Sequence, residues 1–95
     1  MIRSFNDPRA RAIFEQRHPG KGFAANLIRV ARRKLIMLKT AKVLNDLRSP
    51  PSNHLEALED DRAGQHSIRI NDQWRLFCFV WTSIDAENVE IGDYH

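Results

Sequence analysis

The sequence predicts an α+β protein: an N-terminal strand, two helices, then a three-stranded meander, with the helices packed on one face of a small antiparallel sheet. Three observations carry that expectation. Apolar residues recur at helical spacing as far as Leu47, the period shortens to two beyond the loop Ser49-Pro50-Pro51-Ser52-Asn53, and the chain closes on an alternating run, Asn88 to His95, where a polar tail would be usual.

Ile2 to Phe5 is the first strand candidate. Asp7-Pro8 marks a helix start, because the carboxylate can accept from amides of the first turn and proline is tolerated where its missing N–H would have had no partner. This helix is expected to stop near Arg17, since Pro19 disfavours helical geometry at His18 and Gly20 follows. The second helix is expected from about Phe23, with Ala24, Ile28, Ala31, Leu35 and Leu38 on its core face. It pauses near Thr40 and restarts through Leu44 and Leu47 before the Pro-Pro loop ends all helix. Beyond the loop, His66, Ile68 and Ile70 alternate with Ser67 and Arg69. Asn71-Asp72-Gln73 then turns the chain into Trp74 to Trp81, a hairpin partner that is apolar on both faces except at Arg75. A further turn around Ser83 to Glu87 leads into the last strand, where Val89 and Ile91 alternate with Glu90 and Asp93.

A chain of 95 residues with 42% hydrophobic content supports one domain, residues 1–95, with a modest core. It has no apolar stretch of membrane-spanning length and its first residues lack the apolar core of a signal peptide, so a cytoplasmic protein with no membrane partner is expected. Cys78, flanked by Leu76, Phe77, Phe79 and Val80, reads as a small buried hydrophobe. One thiol builds neither a disulfide framework nor a zinc site, and His18, His54, His66 and His95 lack ligand spacing, so neither metal nor cofactor is expected.

Charge is divided along the chain. The first 54 residues hold twelve Lys and Arg against three Asp and Glu, and the remainder holds three against nine. A basic front attracts polyphosphate by counterion release, which gives affinity without sequence information. Arg29, Arg32, Arg33, Lys39 and Lys42, with Arg62 beyond them, are therefore candidates for RNA or ribosome contact; the competing reading is a solvated helix face.

Two further features suggest chemistry. An arginine on a central strand, Arg75, requires an anionic partner or an open cleft, and a structural ion pair satisfies it as well as a phosphate does. The terminal Tyr94-His95 brings a phenol and an imidazole to a strand tip, and imidazole exchanges protons near neutrality. A solvated chain end is the alternative.

The stretches Leu47 to Leu58, Asp61 to Arg75 and Val89 to His95, with the opening Ile2-Arg-Ser-Phe5 and the helix Arg33-Lys-Leu-Ile-Met-Leu38, together resemble the HigB-type toxins of the RelE superfamily, from bacterial type II toxin–antitoxin systems. The most specific part is Gly64 through Arg75 combined with the terminal Asp-Tyr-His. The resemblance implies a single RelE-like domain that cleaves messenger RNA on the ribosome. It also implies neutralisation by a HigA-type helix-turn-helix antitoxin that represses the shared operon, so that operator DNA is met only through the complex. The family's active-site arginine falls on Arg75, and its terminal tyrosine and histidine on Tyr94 and His95. Members carry a stretch of the form His-Pro-Leu-Lys-Gly-Asp-Arg after the Pro-Pro loop. Here it reads Glu56-Ala-Leu-Glu-Asp-Asp-Arg62, with glutamates in place of the histidine and lysine and with His54 two residues early. On a strand, His54 would share the facing of Glu56.

Such cleavage requires a base for the ribose 2′-hydroxyl, cations for the developing phosphate charge and an acid for the leaving 5′-oxygen. Arg75 suits the charge-holding role, because its planar fork binds phosphate oxygens in pairs. His95 suits acid or base, Tyr94 suits orienting the phosphate or stacking on a base, and Glu59, Glu56 or His54 can supply the remaining proton acceptor. Glu59 in place of a lysine removes a cation, which makes an attenuated toxin the first alternative to an active endoribonuclease. The second is a pure binding module, a ParE-like inhibitor or an accessory part of a repressor.

Overall fold

Two helices, α1 (Pro8–Phe14) and α2 (Ala25–Thr40), precede six short strands in a computed structural model that describes residues 1–78, 80–82 and 85–93, with backbone alone at 77 and 78. Asp7 caps α1 as expected: its Oδ1 accepts from the amide of Arg9 at 2.9 Å. The helix ends at Phe14, short of the expected Arg17, because the chain enters a left-handed turn at Gln16 with φ 61°. There the amide of Gln16 donates to the carbonyl of Ile13 at 3.1 Å and that of Arg17 to Ala12 at 2.7 Å, which satisfies carbonyls the helix end would otherwise leave open.

The second helix begins at Ala25, two residues after the expected Phe23, and buries Leu27, Ala31, Lys34, Leu35 and Leu38. Ala24 is exposed and Ile28 half-buried, so the core face is rotated from the one the spacing suggested. The expected pause and restart are present: Thr40 ends α2, and a 3-10 turn over Leu44–Arg48 buries Leu47.

The strands are β1 (Glu56–Ala57), β2 (His66–Arg69), β3 (Trp74–Cys78), β4 (Val80–Thr82), β5 (Asp85–Glu87) and β6 (Glu90–Asp93). β1, β2, β3 and β6 form a sheet in that order, every pair antiparallel, and β4 pairs antiparallel with β5. One register runs through the last hairpin, from Trp74 opposite Asp93 to Thr82 opposite Asp85. Of the expected turn of Ser83 to Glu87, Asp85–Glu87 is strand instead, and residues 83 and 84 lie outside the described residues. The hairpin turn at Asn71 lies where it was expected, held by the Asn71 side chain, which accepts from the amides of Gln73 and Trp74, each at 2.8 Å.

Ile2 to Phe5 does not form the expected strand. It makes isolated parallel bridges, Ile2 to Ala86 and Phe5 to Val89, because a four-residue segment running beside β5 and β6 leaves the sheet to start α1. Ile68, Leu76 and Ile91 lie abreast across β2, β3 and β6, each 2% exposed or less, and close against Ala10, Ile13, Leu27, Ala31 and Leu35 of the helices. That row is the centre of the core. By the pleat, their sequence neighbours face the other way, and those neighbours include Ser67, Arg69, Arg75 and Gly92.

Candidate functional site

Arg75 sits on β3 between β2 and β6, 3% exposed, with Arg69 opposite it on one side and Gly92 on the other. Its Nε donates to Ser67 Oγ at 2.9 Å and its Nη2 to the carbonyl oxygen of His54 at 2.7 Å. Ser67 lies diagonally across from Arg75 on β2, a reach that a long side chain covers easily. The carboxylate of Glu56 approaches Nη2 at 3.9 Å. Both readings of Arg75 from the sequence are therefore realised: it has a carboxylate neighbour, and it lines an open cleft.

That cleft measures about 220 Å³ and is lined by His54, Glu56, Arg69, Asn71, Asp72 and Arg75. Its cations come from adjacent strands in register, and Gly92 sets no side chain beside the Arg75 guanidinium. Arg69 pairs with Asp72, which is almost fully exposed and so loosely held. Two guanidinium groups in a recess of this size suit an anion with several oxygens, because each can donate in pairs. Among the described residues, no three His, Cys, Asp or Glu side chains are grouped as metal ligands would be.

The structure brings His54, Glu56 and Arg75 together. His54 is not on a strand, however. It ends the 3-10 turn Pro51–Asn53 in a left-handed conformation, φ 45°, so the facing it would have shared with Glu56 does not apply. Glu59 is exposed, opens the 3-10 turn Asp60–Arg62 and is not among the residues that line the cleft. Arg62 pairs with Glu90 at 2.9 Å and also donates to Gln65. Of the helical cations, Arg29, Arg33, Lys39 and Lys42 are exposed and Arg32 is half-buried. Tyr94 and His95, the expected acid–base pair, lie outside the described residues, as does the side chain of Cys78.

Two residues that sequence reasoning passed over support the cleft. Lys34, 7% exposed, donates from Nζ to Asn53 Oδ1 at 2.5 Å. Burial, with Arg33 and Arg69 nearby, holds its pKa below the usual lysine value. Asn53 is fully buried, and its Nδ2 donates to the carbonyl of Leu47 at 3.0 Å. The pair pins the Pro-Pro loop, whose next residue offers the carbonyl that holds Arg75.

Residues 3–95 match the family described as RelE-like toxin of type II toxin–antitoxin system HigB. An uncharacterized protein of Haemophilus influenzae is 50% identical over 70 residues, which cover 74% of this chain and 68% of that protein. Toxin HigB-1 of Vibrio cholerae is 42% identical over 62 residues, 65% of this chain and 64% of the toxin. The chain thus aligns with about two thirds of the length of each.

Proposed function

The chain belongs to the HigB-like toxins, RelE-like toxins of type II toxin–antitoxin systems, and from that premise we propose that it is a ribosome-dependent endoribonuclease that cuts messenger RNA and thereby stops translation. Membership implies an antitoxin, and a HigA-type helix-turn-helix protein fits the family, with operator DNA contacted only through the complex. No described helix is long and apolar enough to cross a membrane, and a cytoplasmic site of action goes with this reading.

The observation that carries the reading is a guanidinium that is buried, pre-oriented and still open to a polar recess. Arg75 is held by Ser67 and by the His54 carbonyl, so little ordering remains to be done when a phosphate arrives. In the proposed reaction a base takes the proton of the ribose 2′-hydroxyl and that oxygen bonds to the adjacent phosphorus. The bond from phosphorus to the 5′-oxygen breaks and an acid protonates the leaving oxygen, which gives a 2′,3′-cyclic phosphate and a 5′-hydroxyl. Arg75 and Arg69 hold the phosphate charge. His95 serves as acid or base, Tyr94 orients the phosphate or stacks on a base, and His54 or Glu56, which line the recess, supplies the other proton site. Glu59, away from the lining residues, is the weaker candidate.

The attenuated reading has one observation in its favour, the Glu56 carboxylate 3.9 Å from Arg75, where it competes with substrate phosphate. One experiment separates the two. Brief induction without antitoxin, followed by mapping of RNA 5′ ends, should reveal new ends inside translated coding regions. Growth arrest with unchanged ends would sink the ribonuclease reading in favour of a binding module. Weak cleavage that Glu56→Gln strengthens would establish attenuation by that carboxylate.

A further inference from the structure

The N-terminal segment follows the outer edge of the last strands in parallel register. The amide of Ala86 donates to the carbonyl of Met1 at 2.9 Å and that of Arg3 to Ala86 at 2.7 Å. The amide of Val89 donates to Ser4 at 3.1 Å and that of Asn6 to Val89 at 3.0 Å. The next outward-facing residue in this register is Ile91, opposite Asp7. Backbone pairing stops there because Asp7 becomes the cap of α1, and side chains take over. The amide of Ile91 donates to Asp7 Oδ2 at 3.3 Å, and Arg9 Nη2 donates to the carbonyl of Ile91 at 3.2 Å. The two side chains are themselves joined by a two-pronged pair, Nε to Oδ1 at 3.1 Å and Nη2 to Oδ2 at 3.0 Å. Carboxylate and guanidinium thus stand where the carbonyl and amide of one more strand residue would be.

We propose that Asp7 and Arg9 are positioning residues for the cleavage reaction, acting through β6: by holding both backbone groups of Ile91 they fix the strand that carries Gly92 opposite Arg75 and that Tyr94 and His95 follow in the sequence. The proposal rests on the ribonuclease reading. Its physical need is plain. β6 is the edge strand of its sheet, and Gly92 gives it no side chain to pack there. A catalytic group has to be held to about half an ångström. The carboxylate is well suited to the task, because bonds from Arg9 and from the amide of Ile91 outweigh the effect of burial and keep the Asp7 pKa below its usual value.

The test uses Arg9→Ala, which removes the donor to the Ile91 carbonyl and leaves Asp7 as the helix cap. Arg9 also lies over the Phe23 ring at 5.3 Å, so Phe23→Leu, which removes that contact and the ring contact of Phe23 with Trp74 but leaves the bonds to Ile91 in place, is the control. Two quantities are read on the full chain: amide hydrogen exchange at Ile91, and single-turnover cleavage on programmed ribosomes at saturating concentration. Arg9→Ala should speed Ile91 exchange without changing that of Leu76, and should lower the cleavage rate about tenfold or more with ribosome affinity retained. Arg9→Lys should recover part of both, and Phe23→Leu should change neither. Unchanged exchange at Ile91 overturns the clamp. Faster exchange with an unchanged cleavage rate overturns the positioning role and leaves the clamp as a fold element. A wild-type chain that does not cleave overturns the ribonuclease reading and the positioning role with it, and the exchange arm distinguishes that failure from failure of the clamp.

Discussion

Arg75 was legible because it broke a pattern, a single charge in an otherwise apolar strand between Trp74 and Trp81. Its partners were not. Ser67 and the His54 carbonyl are brought to it by hairpin register and loop shape, which no local spacing encodes. Lys34 was hidden for the opposite reason: beside Arg32 and Arg33 it reads as one more solvated charge, yet folding buries it against Asn53. The arrangement around Arg75 has a measurable consequence. Arg75→Ala strands the Ser67 hydroxyl in a buried place, which costs roughly 1–3 kcal/mol. The row of Ile68, Leu76 and Ile91 is untouched, so the chain should stay folded. Single-turnover cleavage should fall by about a hundredfold or more, the scale on which a charge-stabilising donor acts. Arg75→Lys, which keeps the charge and loses the fork, should lie between. A melting temperature that falls while cleavage persists would assign Arg75 to structure alone.

At the scale of elements, the helices, the turn at Asn71 and the final hairpin followed from periodicity and turn chemistry, whereas their ends did not. α1 illustrates why. Glycine usually occupies the left-handed position that closes a helix in this way, and here it is Gln16 at φ 61°, so the stop carried no sequence signal and the pattern was extended to Arg17. Gln16→Gly should therefore stabilise the protein by roughly 0.5–1 kcal/mol, through relief of an L side chain in the left-handed region. Denaturant melts of the two chains decide it; an unchanged or lowered midpoint would show that contacts of the Gln16 side chain outweigh the backbone. The edge strand β1, only Glu56–Ala57, was missed because two residues show no alternation. It matters nonetheless: pairing Glu56 with Ser67 sets that carboxylate on the face of the sheet that holds Arg75.

For the whole molecule, the division of charge along the chain is partly undone by folding. The N-terminal ammonium and Arg3 meet Asp85 at 3.7 and 3.4 Å, so part of the basic front neutralises the acidic back, while Arg62 meets Glu90 within the back itself. Much of the remaining basic surface is carried by α2 and the turn after it: among the described residues the ion pairs involve none of Arg29, Arg33, Lys39 and Lys42. A face of this kind either solvates the helix or meets the phosphates of ribosomal RNA, and salt dependence distinguishes the two. Arg32 is left out of the test because its Nε is buried, and reversing it would disturb packing. Reversal of Arg29, Arg33 and Lys39 to glutamate, in an Arg75→Ala background that leaves the message intact, should weaken ribosome association. The plot of log affinity against log salt should also flatten, by about 0.7–0.9 for each phosphate that is no longer neutralised. Weaker binding at an unchanged slope would mean that the substitutions acted through the fold. Unchanged binding at an unchanged slope would return the face to solvation, and attraction to the ribosome would then have to come from cations elsewhere, such as Arg69 in the cleft.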